Sequence, residues 1–165
     1  VMVSTSGSRL MQEDALDTFV KELLPLATLL TPNIPEAEIL AGIKIQNADD
    51  TKAAAAAISQ LGCTYVLIKG GHFTGTEKID YLFEDGKQRT SYRGISIDTR
   101  NTHGTGCTLS SAITSYLARE YDMNTAIAMA KTYLSGAILA GKGVNIGEGH
   151  GPVNHFYEPK SLFIK

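Results

Sequence analysis

One strand-like run, at 63–69, limits the fold of this chain more than any other stretch. Its centre, from Tyr65 to Ile68, is continuously apolar and contains β-branched and aromatic residues. Such a strand is typical of a parallel sheet whose two faces are both covered. Gly70 and Gly71 end the run at the edge where ligands bind to such sheets. The run therefore predicts a sheet that lies between layers of helices.

Helical and strand-like patterns alternate along the rest of the chain. Apolar spacing and helix-ending residues predict helices at 12–24, 35–40, 49–62 and 124–140, with a further one after Gly106. Strand-like segments at 79–84 and 87–97 flank Asp85-Gly86, a dipeptide that suits a type I′ hairpin turn. The pattern predicts an α/β layered fold with one β-hairpin, in a single domain over 1–165.

Composition and charge exclude several classes of function. The 165 residues are 43% hydrophobic, as in an ordinary folded domain, and 15 Lys and Arg against 17 Asp and Glu give a net charge of -2. A protein that binds nucleic acid usually has an excess of basic residues, and this chain has none, so DNA and RNA are not expected as partners. The apolar stretches are far shorter than the roughly 20 residues that span a bilayer, so no membrane contact is expected. Cys63 and Cys107 are expected to be reduced thiols of a cytoplasmic protein, with a disulfide as the alternative.

The loop at 101–108, Asn-Thr-His-Gly-Thr-Gly-Cys-Thr, comes directly before a predicted helix. Its glycines let the main chain approach a ligand closely, and the amides of a first helical turn bind anions. Phosphate is the natural ligand for such a loop. Cys107 falls in that first turn, where the helix dipole favours the anion of a thiol, so it could accept a proton or attack a carbon atom. The alternative is a small buried side chain behind a glycine loop.

The rest of the chain contains no complete standard motif for a nucleotide or a metal ion. Gly70 and Gly75 have the spacing of a P-loop, but Thr76 stands at the lysine position. A glycine-rich stretch at 141–147 misses the dinucleotide-binding spacing by one residue. The four histidines form no HxxxH pair and the two cysteines no CxxC, so a structural zinc site is not expected.

Three further residues are weaker candidates for a site. Asn33 and Glu36 are three positions apart, so an amide and a carboxylate can face one cavity that holds a magnesium ion with its waters. Glu36 is then expected at a solvent-facing ligand site and not in the core. The alternative for Glu36 is a favourable charge in the first turn of a short helix. Lys69 follows the buried strand, where a cation would meet a ligand, although lysines also end strands for solubility alone.

Together these segments resemble the hydroxymethylpyrimidine phosphate kinase family of thiamine biosynthesis, within the ribokinase-like superfamily. The resemblance covers nearly the whole chain, and the segments follow the family's order. The matching segments are 1–7, 24–27, 31–38, 66–72, 101–108 and 149–153.

The resemblance implies a ribokinase-like α/β/α fold with a mostly parallel central sheet and a β-hairpin. It also implies ATP-dependent phosphorylation of hydroxymethylpyrimidine phosphate, and of hydroxymethylpyrimidine, with ATP and Mg²⁺ as cofactors. The partners would be ATP and a small pyrimidine, and the complete enzyme would be a homodimer in the cytoplasm.

The resemblance also implies roles for the residues of the loop. Cys107 would accept the proton of the acceptor group, and the amides of Gly104, Thr105 and Gly106 with that of Cys107 would hold the transferring phosphoryl charge. Elsewhere, Lys69 would neutralise the nucleotide's phosphates, and Asn33 with Glu36 would order magnesium and its waters. Thr102 and His103 would shape the loop, and Lys142, Gly143 and the helix at 124–140 would flank the adenine.

The chain departs from the family at its start. Family members extend further at the N-terminus, where the first strands and most of the pyrimidine pocket are formed. We therefore expect the N-terminal strands to be missing and the chain to correspond to the nucleotide-binding C-terminal part of the kinase. By itself it is expected to bind ATP weakly with magnesium and not to phosphorylate the pyrimidine.

Three other interpretations stay open from the sequence. A pyridoxal kinase would use the same residues on a different ring. A noncatalytic fragment would bind the nucleotide without transferring phosphate. A cysteine-dependent acyl transferase would need His103 to activate Cys107, but no Asn or Asp is clearly placed to orient His103.

Overall fold

The computed structural model describes Met2, residues 11–71 and residues 77–161. The chain divides into two compact units, Val1–Ser96 and Ile97–Lys165. The single domain expected over 1–165 stays a prediction. Several residues that the sequence singled out, namely most of the segment 1–7 together with His72, Gly75 and Thr76, lie outside the described residues.

The first unit begins with a helical segment of changing pitch. α1 spans Glu13–Thr18 and continues without a break into a π-helical turn at Phe19–Leu23 and a 3₁₀ turn at Leu24–Leu26. The predicted helix at 12–24 is confirmed, but helical structure continues past its predicted end. Pro25 is accommodated because it lies in the first turn of the 3₁₀ segment, where its missing N–H has no partner to lose.

Two more helices of this unit follow the sequence pattern closely. α2 spans Ile34–Ala41 and ends at Gly42, whose φ of 66° is the left-handed conformation that glycine adopts without strain. α3 spans Ala48–Ser59, and the side chain of Asn47 caps its first turn. The predicted helices at 35–40 and 49–62 are therefore confirmed to within a few residues.

The described strands of the first unit form one four-stranded sheet in chain order. β1 is Leu29–Leu30, β2 is Tyr65–Gly71, β3 is Glu77–Glu84 and β4 is Lys87–Ile95. β1 and β2 are parallel, whereas β2 with β3 and β3 with β4 are antiparallel. The α/β class is confirmed, but the described part of the sheet is mixed rather than mostly parallel. The sheet is mixed because β3 of the hairpin pairs directly with β2 in the antiparallel direction. The apolar run of β2 indicated that the strand is buried, but a run of apolar residues does not indicate the direction of the neighbouring strands.

The hairpin turn and the burial of β2 agree with the sequence. Asp85 and Gly86 have φ values of 49° and 73°, the two left-handed residues of a type I′ turn. In β2, Val66, Leu67 and Ile68 all have a relative exposure of 0%, so both faces of the strand are buried. Val66 and Ile68 share one apolar cluster with residues of α2, α3 and β3, including Ala37, Ala54, Ala55, Ile58 and Phe83.

The second unit is built on two helices. α4 spans Thr105–Ala118 and α5 spans Met123–Gly141, and the two pack against each other. Both were predicted from apolar spacing. Beyond α5, the described residues form no helix or strand, although Pro152 makes an isolated bridge with His103. In the part of the chain that the structure describes, no helix combines the length and apolar character needed to cross a bilayer.

Candidate active site

The start of α4 is open to an incoming ligand. Gly104 precedes the helix with a φ of 85°, and no side chain caps the first turn. The N–H of Thr108 makes the first helical bond, to the carbonyl of Gly104 at 2.8 Å. Within the described residues, the amides of Gly106 and Cys107 make no hydrogen bond. These amides and the positive end of the helix dipole lie where the sequence predicts an anion site, and the binding of an anion there stays a prediction.

The other long helices of the described chain have closed starts. Asn33, Asn47 and Asp122 precede α2, α3 and α5, and in each case the side chain accepts a hydrogen bond from a first-turn amide. A side-chain cap is the usual way to satisfy these donors. Among the described helices of eight residues or more, α4 is the one whose start lacks such a cap.

The two cysteines lie in different environments. Cys107 is exposed in the first turn of α4, whereas Cys63 is buried. Burial raises the pKa of the Cys63 thiol, which is also held against the carbonyl of Tyr65 at 3.1 Å. Both thiols are free, as the sequence predicts. Cys107 is therefore the thiol that a substrate or a reagent can reach.

Thr102 and His103 hold the loop through their main chains. The carbonyl of Thr102 accepts from the amide of Thr105 at 3.3 Å. The amide of His103 donates to the carbonyl of Gly151 at 3.1 Å, and the carbonyl of His103 accepts from Val153 at 3.3 Å. The His103 ring is on an exposed residue, and no described hydrogen bond joins it to Cys107. Nothing in this arrangement supports the acyl transferase interpretation.

Asn101 ties the loop to the turn that follows α5, a role that the sequence did not reveal. The residue is only 2% exposed, and its Nδ2 donates to the carbonyls of Gly141 and Val144 at 2.7 and 2.6 Å. A Cβ on Gly151 would lie 2.1 Å from Asn101 Oδ1, so glycine is required there. A buried asparagine has no distinguishing mark in the sequence, and the only hint is the glycine that makes room for it.

Lys142 and Gly143 lie in the turn that Asn101 fixes. Both are exposed, and the carbonyl of Lys142 accepts a long bond from the Thr99 hydroxyl at 3.5 Å. Arg100 donates to the side chain of Asn145 at 2.9 Å in the same turn. The predicted nucleotide-flanking turn and the predicted anion loop are thus joined through residues 99–101 of the second unit.

Asn33 and Glu36, in the first unit, form a reciprocal capping box on α2. Asn33 Oδ1 accepts from the Glu36 amide at 2.8 Å, and Glu36 Oε2 accepts from the Asn33 amide at 3.0 Å. Glu36 Oε1 also accepts from the amide of Met2 at 2.8 Å, and Glu36 is only 6% exposed. The sequence expectation that Glu36 faces solvent is therefore wrong. The alternative interpretation, a carboxylate stabilising the first turn of a helix, describes its geometry.

Lys69 lies beside this capping box through its main chain. Its amide donates to the carbonyl of Pro32 at 2.9 Å, and Lys69 forms an isolated parallel bridge with Asn33. The next residue, Gly70, has a φ of 76° and donates its amide to the buried carboxylate of Asp80 at 2.7 Å. Sequence reasoning missed Asp80, which lies on β3 and shapes the end of β2.

Known proteins that are similar to this chain indicate its family. Residues 1–154 match the family model described as phosphomethylpyrimidine kinase. The chain belongs to the phosphomethylpyrimidine kinase family. The hydroxymethylpyrimidine/phosphomethylpyrimidine kinase of Rhizobium meliloti is 46% identical over 159 residues, which cover 95% of this chain and 59% of that protein. The Streptomyces coelicolor protein of the same name is 42% identical over 155 residues, 94% of this chain and 56% of the relative.

Solved structures of this family and of pyridoxal kinases share the fold. Phosphomethylpyrimidine kinase of Clostridium difficile matches with a TM-score of 0.69 and 45% identity, over 84% of this chain and 55% of that one. Pyridoxal kinase of Bacillus subtilis in complex with ADP matches with a TM-score of 0.81 and 33% identity, over 95% of this chain and 58% of that one. The chain thus spans little more than half the length of these relatives.

Proposed function

We propose that the protein carrying this chain transfers a phosphoryl group from ATP to hydroxymethylpyrimidine phosphate, and also to hydroxymethylpyrimidine, in thiamine biosynthesis. The observation that carries the proposal is the open start of α4, with Gly104 in the left-handed conformation and the amides of Gly106 and Cys107 without a described partner. Membership of the phosphomethylpyrimidine kinase family supports the identity of the acceptor. Phosphoryl transfer relies mainly on positioning and charge stabilisation, which such a helix start supplies.

The second unit would carry the groups that act on the phosphoryl group. The amides of Gly104, Gly106 and Cys107 would bind its oxygens and stabilise the negative charge that develops during transfer, while the amide of Thr105 donates to the carbonyl of Thr102. As the acceptor oxygen bonds to the γ-phosphorus, the bond from that phosphorus to ADP breaks and ADP leaves. Cys107, exposed in the first turn, would accept at Sγ the proton that the acceptor group loses, from the hydroxyl of hydroxymethylpyrimidine or from a protonated phosphate oxygen of its phosphate. Thr102 and His103 would keep the loop in shape, and Lys142 and Gly143 would flank the adenine.

The first unit would contribute positive charge and a magnesium site. Lys69, at the end of β2, would neutralise phosphate oxygens of the nucleotide. The carboxylate of Glu36 and the amide oxygen of Asn33 are hard oxygen donors that already accept main-chain hydrogen bonds. Because these oxygens are already hydrogen-bonded, the pair would hold Mg²⁺ through the ion's water molecules and not by direct coordination. When bound, Mg²⁺ would supply charge neutralisation for the phosphates of ATP.

Phosphate transfer to a defined acceptor tests this proposal. The complete natural polypeptide that carries the sequence is incubated with ATP, Mg²⁺ and hydroxymethylpyrimidine, its phosphate or pyridoxal, and ADP and phosphorylated products are measured. We expect turnover with both pyrimidines and a loss of turnover when Mg²⁺ is chelated. Absence of phosphorylated pyrimidine at saturating ATP and Mg²⁺ would contradict the proposal.

A pyridoxal kinase is the second candidate function. The pyridoxal kinase of Bacillus subtilis shares the fold at 33% identity, so the same nucleotide-binding architecture serves a different acceptor ring in that protein. The acceptor assay separates the two, because the candidate predicts a higher kcat/KM for pyridoxal than for the pyrimidines. Family membership favours the pyrimidine.

Two further features of the proposal concern the protein's setting. A cytoplasmic location is supported by two free cysteines, one of them exposed, because reducing compartments keep such thiols unpaired. A homodimer is proposed from the family resemblance alone. Sedimentation of the complete polypeptide tests it, since a monomer at micromolar concentration would contradict it.

A further inference from the structure

A histidine near the C-terminal end of the described chain contacts the start of α4. Nε2 of His155 lies 3.1 Å from the hydroxyl oxygen of Thr108, in a hydrogen bond whose donor depends on the histidine tautomer. The ring also packs beside Gly104, since a Cβ there would lie 3.7 Å from Nε2 and 3.8 Å from Cε1. His155 thus contacts both ends of the first helical bond of α4, the one between Thr108 and Gly104.

The segment 151–157, here called the strap, holds His155 in this place. On one side of it, the amide of Asn154 donates to the carbonyl of Ala137 at 3.1 Å. The carbonyl of His155 itself accepts from the hydroxyl of Tyr133 at 3.1 Å. On the other side, the Tyr157 ring lies so close to Gly136 that a Cβ there would be 2.3 Å from it. Three contacts with α5 therefore fix the main chain around an otherwise exposed imidazole.

The strap also contacts the loop in front of α4. Its first residues pair with His103 through two main-chain hydrogen bonds, and Val153 is only 2% exposed. The strap therefore reaches the loop before Gly104 and the helix after it. This matters because glycine is costly to hold in one conformation and the start of α4 has no side-chain cap of its own.

We propose that His155 is a positioning residue for the phosphate site. By bonding to the Thr108 hydroxyl and packing on Gly104, it holds the first turn of α4 so that the amides of Gly106 and Cys107 point at the transferring phosphoryl group. The inference rests on the proposed kinase function, and it assigns to the strap a role in the transfer step. His155 itself need not touch the nucleotide.

Paired substitutions test this role in the complete natural polypeptide. His155→Leu and Thr108→Val each remove one side of the hydrogen bond with little change in volume, and His155→Gln restores a group that can bond to the hydroxyl. We expect each of the first two to lower kcat by about tenfold, because small displacements of a catalytic group are costly, with little change in the KM for ATP. The double variant should be no slower than either single variant.

Controls separate positioning from folding. His150→Leu removes a histidine from the same part of the chain, where Nδ1 lies 3.2 Å from the carbonyl of Arg100, and should leave kcat unchanged. Melting temperatures are recorded for every variant, and kcat is measured well below them. A purely structural role predicts lower melting temperatures with a normal kcat for the folded enzyme, and no recovery of kcat in His155→Gln.

Each outcome decides the inference. Active wild-type protein with an unchanged kcat in His155→Leu, or with effects of the two single variants that simply add, overturns the positioning role alone. Wild-type protein that neither binds ATP nor transfers phosphate overturns the proposed function and the inference with it. A tenfold loss that is shared by both single variants and recovered in His155→Gln supports both.

Discussion

The starts of α2 and α4 are the same backbone feature put to different uses. At α2, Asn33 and Glu36 bind each other's amides and close the first turn with the protein's own carboxylate. At α4, a left-handed glycine replaces the cap, and the amides of Gly106 and Cys107 have no described partner. A helix start that carries its own anion is stabilised by it, and one that lacks an anion is ready to bind one. The side chain at the cap, and not the helix, decides which use is made.

At the start of α5, one carboxylate, that of Asp122, caps the helix. Asp122 accepts from the hydroxyl of Thr125 at 2.6 Å and from its amide at 3.1 Å. These bonds, that to the hydroxyl first, lower the pKa of Asp122 below its ordinary value. An anion at a helix start of this protein is thus favoured in its charged form, which is the effect that a bound phosphate would use at α4.

The largest effect is expected at the open start, in Cys107→Ala. Removing a general base usually costs about 10²-fold or more in turnover, so kcat should fall by that amount in the complete natural polypeptide. ATP affinity should change little because the amides remain, and stability should change little because Cys107 is exposed. Turnover is measured by ADP release and affinity by calorimetry. Near-normal turnover would remove Cys107 from the role of base.

A charge placed at the open start should weaken nucleotide binding next. Gly104→Asp puts a carboxylate where the phosphate is expected, and Gly104→Asn is its matched control, since both place a similar side chain on a φ of 85°. Repulsion of like charges at short range should make the Asp variant bind ATP about tenfold or more weakly than the Asn variant. Calorimetry at low salt measures the difference. Equal affinities would mean that no phosphate lies near Gly104.

Opening the closed start of α2 should cost stability instead. Asn33→Ala removes the cap, so the free energy of unfolding in urea should fall by about 1 kcal/mol. Glu36→Gln should lose a similar amount, because one of its two oxygens, each bonded to a main-chain amide, becomes an NH₂ group. If the pair also serves magnesium, both variants should need more Mg²⁺ for half-maximal turnover at fixed ATP. Unchanged stability in both variants would show that the capping box contributes nothing.

The smallest effect is a pH dependence at α5. Because folding lowers the pKa of Asp122, its charge stabilises the protein above the ordinary Asp pKa of about 3.9 and stops doing so as pH falls through the lowered value. The stability difference between wild type and Asp122→Asn should therefore shrink in acid. Urea unfolding at a series of pH values measures it. A difference that stays constant from neutral to acid pH would argue against a charged cap.

Regular patterns in the sequence were enough to predict most of the fold. The hairpin followed from Asp85-Gly86, and the helices from apolar spacing, because these signals are local. The direction of β2 was not local information. The direction of β2 relative to its neighbours depends on which strands pair with it. β3, the next strand in the chain, pairs with it antiparallel, and the parallel partner β1, Leu29–Leu30, is too short to be recognised as a strand from the sequence.

The candidate site was predictable only where a motif carried it. The loop at 101–108 was found because its glycines precede an apolar helical pattern. Asn101 and His155 were missed as positioning groups because their roles depend on chain segments that fold back from residues 141–157. Glu36 was expected to face solvent because a capping box and a ligand pair have the same spacing, and burial alone distinguishes them.

The central claim is that the open amides of α4 bind a phosphate group, and amide chemical shifts test it most directly. A nitrogen-15 spectrum of the protein is recorded with adenosine and then with ATP. The account predicts that ATP, and not adenosine, produces large shifts at Gly106 and Cys107. The capped amides of Asp49 and Thr125 should stay in place, because Asn47 and Asp122 already hold them. Saturation with ATP that leaves Gly106 and Cys107 unmoved would contradict the claim.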